Sequence, residues 1–207
     1  MKIDRPKTKI NNVHEFVKYL KEQSETSFFR YLLEEMVVEA KKASNSITWS
    51  VIYQIIRDAD SGRMSWGLHK QLLSGVFYIL SEVADSKSYR IVISYIKNLD
   101  RDIPLGAIKL IASRIPAYKQ EVDLNELFSL AASTNDTKSA FGMISLSTLV
   151  VENRLDDEDF EKFQNLLNGY KNYKHYIEDY LESIKSYIEE SRAGALTLDL
   201  GSFDGMV

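Results

Sequence analysis

Apolar residues recur at intervals of three and four along almost the whole chain, and alternation with period two is nearly absent. The pattern therefore predicts helices and no confident strand. Val13, Phe16, Val17 and Leu20 mark a first helix that Asn12 caps, with Glu15 placed to reach back from the third helical position. Phe29, Leu32, Leu33, Met36 and Val37 mark a second, from about Thr26 to Lys42, ending on Lys41 and Lys42, whose charge suits a helix C-terminus. Three pairs are then expected: 46–59 with 66–84, 88–99 with 104–118, and 124–133 with 137–152, Pro104 standing in a first turn where its missing N–H costs nothing. Asp156 caps a further helix that opens with Asp157, Glu158 and Asp159 and stops at Gly169. A last stripe runs through Tyr173, Tyr176, Ile177, Tyr180, Leu181, Ile184, Tyr187 and Ile188. After residue 192 the helical period fades and glycine enters, so 193–207 reads as a flexible or docking tail.

Two internal echoes sharpen this picture. Gly75-Val76-Phe77-x-Ile79, Gly106-Ala107-Ile108-x-Leu110 and Gly142-Met143-Ile144-x-Leu146 sit in the second helix of each pair. Glycine inside a helix costs about 1 kcal/mol against alanine, so its return at like positions predicts close approach between neighbouring helices. Trp49-x-Val51-Ile52-x-x-x-Ile56-Arg57-Asp58-x-Asp60 likewise overlays Tyr89-x-Ile91-Val92-x-x-x-Ile96-Lys97-Asn98-x-Asp100. Paired helices recurring in this way suggest a repeat architecture. Over residues 46–152 the chain resembles HEAT-like α-solenoid proteins, a likeness of architecture carried by those glycine and Trp49/Tyr89 registers. It implies a surface for binding protein or nucleic acid and transfers no functional residue. The expected fold is all-α, a short right-handed α-solenoid-like stack of antiparallel helical hairpins, about ten helices in one domain over 1–192, with 156–192 as capping helices.

Composition narrows the chemistry. The 207 residues include no cysteine, which excludes disulfides, thiolate zinc sites and cysteine nucleophiles and favours a reducing, cytoplasmic setting. The first residues carry charge instead of the apolar run of a signal peptide, and no stretch is long and apolar enough to span a bilayer. His14, His69 and His175 stand in no metal spacing, and Asp58-x-Asp60-x-Gly62 lacks the ligands of a calcium loop, so neither metal nor cofactor is expected. No phosphate loop, nucleophile elbow or catalytic pairing occurs, and no catalytic residue is assigned.

Charge is what remains. The net charge is −4, but residues 1–120 hold 19 Lys and Arg against 13 Asp and Glu, while 121–207 hold 7 against 17. Such a division can steer charged partners. The leading expectation is a non-enzymatic intracellular protein-binding module that neutralises or regulates a basic partner, in the manner of a bacterial or phage immunity protein. Asp156, Asp157, Glu158, Glu178, Asp179 and Tyr187 are its candidate partner-binding residues. An alternative is a DNA- or RNA-binding regulatory protein that uses Arg57, Arg63, Arg90, Lys97 and Arg101, with Arg57 and Lys97 one repeat apart along a phosphate backbone. A second alternative is an enzyme with its site in a helical groove, which would reveal itself through a groove holding a carboxylate or His69 of perturbed pKa.

Overall fold

Local capping chemistry sets most helix starts in the computed structural model, which describes residues 12–42, 46–170 and 177–201, with side chains through 190. Asn12 opens α1 (Val13–Gln23) by accepting from His14 N–H at 2.9 Å, two residues on, not through the box with Glu15. Ser46 caps α3 (Ile47–Asp60), Asp85 caps α5 (Ser86–Asn98) in a full capping box with Ser88, and Asp123 caps α7 (Leu124–Ala131). Asn135 caps α8 (Asp136–Val151), and Asp156 caps α9 (Asp157–Gly169) by accepting from Asp159 N–H at 2.8 Å. Each of these side chains satisfies an amide that a helix start leaves unpaired. The remaining helices are α2 (Phe29–Lys42), α4 (Lys70–Val83), α6 (Leu105–Ala112) and α10 (Glu178–Gly201). The described residues are all-helical, with a single short 3-10 helix, Ile115–Glu121.

Three boundaries differ from the sequence pattern. Residues 64–69, expected to begin a helix at Trp66, instead form turns in which His69 Nδ1 accepts from Ser65 N–H. The expected 104–118 helix ends at Ala112, because Pro116 supplies no amide to continue the ladder, and the chain tightens into the 3-10 turn. In contrast, α10 continues to Gly201. Alanines and leucines at 193, 195, 196, 198 and 200 are strong helix formers, and their propensity carries the helix past the point where the amphipathic period fades. Residues 202–207 of the expected tail lie outside the described residues.

Several packing partners sit two helices apart: α1 on α3 and α3 on α5 along one side, α2 on α4, α4 on α6 and α6 on α8 along the other. Between the sides, α7 packs closely on α8, and the main partners of α5 are α4 and the 3-10 helix. One continuous apolar core runs from Phe16 in α1 to Ile188 in α10. The second echo is structural: Trp49 and Tyr89 are both buried, as are Val51 and Ile91, Ile52 and Val92, Ile56 and Ile96. Both rings also tie their helix to another element. Trp49 Nε1 donates to Ala40 O at 3.2 Å, and Tyr89 Oη accepts from Asp123 N–H at 3.1 Å.

The glycine echo divides three ways. At Gly142 a Cβ would lie 2.3 Å from Ala131 N and 2.8 Å from Leu127 O, so α7 and α8 touch backbone to backbone there. At Gly75 it would meet the Leu33 and Phe29 side chains of α2 at 2.9–3.0 Å. Gly106 is exposed near the start of α6 with nothing within 4 Å, so the close approach expected of it does not occur.

Candidate functional site

Two grooves gather the charged residues. The first is acidic and lies where the end of the 3-10 helix, the start of α7 and the start of α9 meet, enclosing about 590 Å³. Glu121, Asp123, Asp156, Glu158 and Asp159 line it with one cation, Lys162. Lys162 Nζ lies 2.8 Å from Glu158 and 3.3 Å from Asp159, and those two carboxylates hold its pKa above the usual lysine value. Asp123 and Asp156 are there because each caps a helix, so two helix starts face the same space. Among the described residues no group of His, Asp or Glu is placed to hold a metal ion.

Of the six expected partner-binding residues, Asp156 and Glu158 line this groove and Asp157 does not. Glu178 and Asp179 are exposed on the first turn of α10, and Tyr187 is 45% exposed two turns further on; none of the three lines the groove. Glu121 and Asp123 were missed as site residues by sequence reasoning. They stand at the end of the 3-10 helix and the start of α7, distant in sequence from α9, and the fold brings the acidic ends together. Of the tyrosines, Tyr180 packs inward against the core with its pKa raised by burial, and Tyr170 Oη pairs with Ser139 at 3.2 Å. Tyr173 and Tyr176 lie outside the described residues.

The second groove, of about 730 Å³, runs between α3 and α5. Its floor is Ile56, Ile91 and the buried ring of Tyr95, whose hydroxyl accepts from Trp66 Nε1–H at 2.8 Å. Burial pushes the Tyr95 hydroxyl up to about 12. Arg57, Arg90 and Lys87 stand at its sides, Lys87 with its ammonium 4.0 Å from the centre of the Trp49 ring. Asp60 completes it, with Oδ1 fully buried and lacking any hydrogen-bond partner. Desolvation raises the Asp60 carboxyl above its ordinary value of 3.8; nearby Arg101 works against that shift, and Asp100 adds to it. His69 does not line the groove.

The five expected nucleic-acid cations separate here. Arg57 and Arg90 share the α3/α5 groove, and among the described residues neither guanidinium has a side-chain partner. Lys97 pairs with Glu126 at 2.8 Å, Arg63 with Asp58 at 2.8 Å, and Arg101 with Asp100 at 3.0 Å while also donating to Asp60 O. Arg57 and Lys97 do occupy like places in the last turns of adjacent helices, as the echo implies, but only Arg57 is uncommitted. No helix of the described residues is long and apolar enough to cross a membrane. Comparison with protein-family models, curated proteins and solved structures returned no match.

Proposed function

We propose that the protein is a non-enzymatic, cytoplasmic protein-binding module, a short right-handed α-solenoid-like stack whose acidic groove neutralises or regulates a partner through a lysine- and arginine-rich segment. The observation that carries this reading is the five carboxylates around one open polar groove, where the single lysine is already clasped by two of them. Such a groove is under-neutralised, and an incoming cation gains from several carboxylates at once while displacing little. The −10 charge of residues 121–207 extends the attraction beyond contact range and would raise the encounter rate at low salt. The absence of cysteine fits a reducing compartment.

A nucleic-acid reading finds less support. Three of its five cations are committed to carboxylates, and the two that are not share their groove with Asp60 and Asp85. Two phosphate contacts give too weak a polyanion track for specific binding by charge. The test is fluorescence anisotropy with a labelled lysine/arginine-rich peptide against wild type and the Glu121→Lys/Glu158→Lys variant, with duplex DNA titrated in parallel. Saturable, salt-sensitive peptide binding that the variant loses supports the proposal. Peptide binding unchanged in the variant, or DNA binding that exceeds it and weakens on Arg57→Glu, refutes it.

A further inference from the structure

The α3/α5 groove has features that a protein-binding acidic surface does not explain. Its volume of about 730 Å³ falls in the range of roughly 300–1,000 Å³ typical of small-molecule sites. Two guanidinium groups, Arg57 and Arg90, reach it from separate helices and stay exposed with no side-chain partner among the described residues. Unpaired guanidinium forks are built to receive a phosphate or carboxylate through two parallel N–H donors each. The floor is apolar, formed by Ile56, Ile91 and Tyr95, and the Tyr53 ring on the rim is 41% exposed. The Lys87 ammonium already sits over that ring, 5.4 Å from its centre, so a planar ligand ring has the exposed remainder of Tyr53 and the apolar floor to lie against. Finally, Asp60 lines the same groove; its Oδ1 is fully buried, so only the rest of the carboxylate can accept from a ligand N–H there.

These features together exclude the simplest occupants. Free inorganic phosphate would satisfy the arginines and leave the apolar floor, the ring of Tyr53 and the Asp60 carboxyl unused. A long polyanion needs a continuing row of free cations, and beyond this groove Arg63, Lys97 and Arg101 are committed to carboxylates. A purely cationic ligand would be repelled by Arg57, Lys87 and Arg90.

We propose that the groove between α3 and α5 binds a small organic phosphate whose other end is a planar ring bearing N–H donors, the chemistry of a nucleoside monophosphate. The phosphate lies between Arg57 and Arg90, the ring lies along Tyr53 over the apolar floor, and the ring's donor edge faces Asp60. Guanine supplies such an edge, a ring N–H beside an amino group. The site shares no lining residue with the acidic groove.

Isothermal titration calorimetry with the full chain tests this, using guanosine monophosphate, guanosine and inorganic phosphate as probes. The monophosphate should bind saturably with one equivalent, and guanosine and phosphate should each bind at least ~tenfold more weakly, as expected for losing charge-assisted hydrogen bonds or the ring contacts. Arg57→Gln and Arg90→Gln should each weaken binding by about tenfold, with far-ultraviolet circular dichroism confirming an unchanged fold. Asp60→Asn should weaken guanosine monophosphate while leaving inorganic phosphate unaffected. The proposal is overturned if no saturable binding of the monophosphate occurs into the millimolar range, if guanosine binds as tightly as its phosphate, or if both arginine variants bind as wild type does.

Discussion

Gly142→Ala adds one carbon to α8, and that carbon would sit 2.3 Å from Ala131 N, 2.7 Å from Ala131 Cα and 2.8 Å from Leu127 O. All three are backbone atoms of α7, so no rotamer change can make room, and the two helices must separate. Overpacking of this kind costs about 1–3 kcal/mol and occasionally more, while the gain from replacing helical glycine with alanine is about 1 kcal/mol. With backbone as the obstacle the steric cost belongs at the upper end, leaving a net loss of about 2 kcal/mol or more. For a domain of this size that lowers the melting temperature by roughly 4–8 °C. Gly106→Ala makes the same chemical change with nothing within 4 Å and should raise stability slightly. Gly75→Ala meets the movable tip of Leu33 at 2.9 Å and should fall between the two. Urea denaturation followed by circular dichroism orders the three variants. Gly142→Ala as stable as Gly106→Ala would refute the close contact of α7 with α8.

Tyr95→Phe removes the acceptor of the buried Trp66 Nε1–H, and a stranded donor should cost about 1–3 kcal/mol in denaturant unfolding; an unchanged midpoint would mean that water reaches the indole. Ala84 closes α4 in a left-handed conformation (φ 53°), so Ala84→Gly should stabilise by up to about 1 kcal/mol, and a loss of stability would contradict that backbone. The Asp60 carboxyl, raised above 3.8 by burial, keeps its proton in the folded state to a higher pH than in the unfolded chain. Stability from this group is therefore present at pH below 3.8 and lost as the pH rises through the folded value, so Asp60→Asn should flatten the fall of the unfolding midpoint with rising pH. Parallel pH curves for the two proteins would show that Asp60 titrates normally. Tyr89 and Tyr95, pushed by burial from 10.0 up to about 12, should resist ionisation in an ultraviolet titration, and stability should fall between those values as the unfolded chain releases their protons first.

Much of the fold was legible because the determining residues act locally. Asn12 and Asp156 each begin a helix where a capping side chain precedes an apolar stripe, whereas the cap at Asn135 reads in sequence only as part of a loop. The Trp49/Tyr89 echo held because the same inward face must be buried in both helices. Gly106 misled because a repeated letter carries no information about what stands opposite, and α6 presents that position to solvent. The site was legible in part. Asp156 and Glu158 stood out as a run of charge, but Glu121 and Asp123, more than thirty residues earlier, join them only in the folded chain. The candidate phosphate row was legible only as charge: Lys97 and Arg63 pair with Glu126 and Asp58 through space or around a turn, and a sequence shows charges without showing which are already paired.

The proposed function requires the groove between the 3-10 helix, α7 and α9 to receive a basic segment. Amide chemical-shift mapping during titration with a lysine/arginine-rich peptide tests it directly. Perturbations should concentrate at Glu121, Asp123, Asn125, Glu158 and Asp159 and vanish in high salt. Perturbations confined to α10, scattered over the surface, or absent at low salt would contradict it.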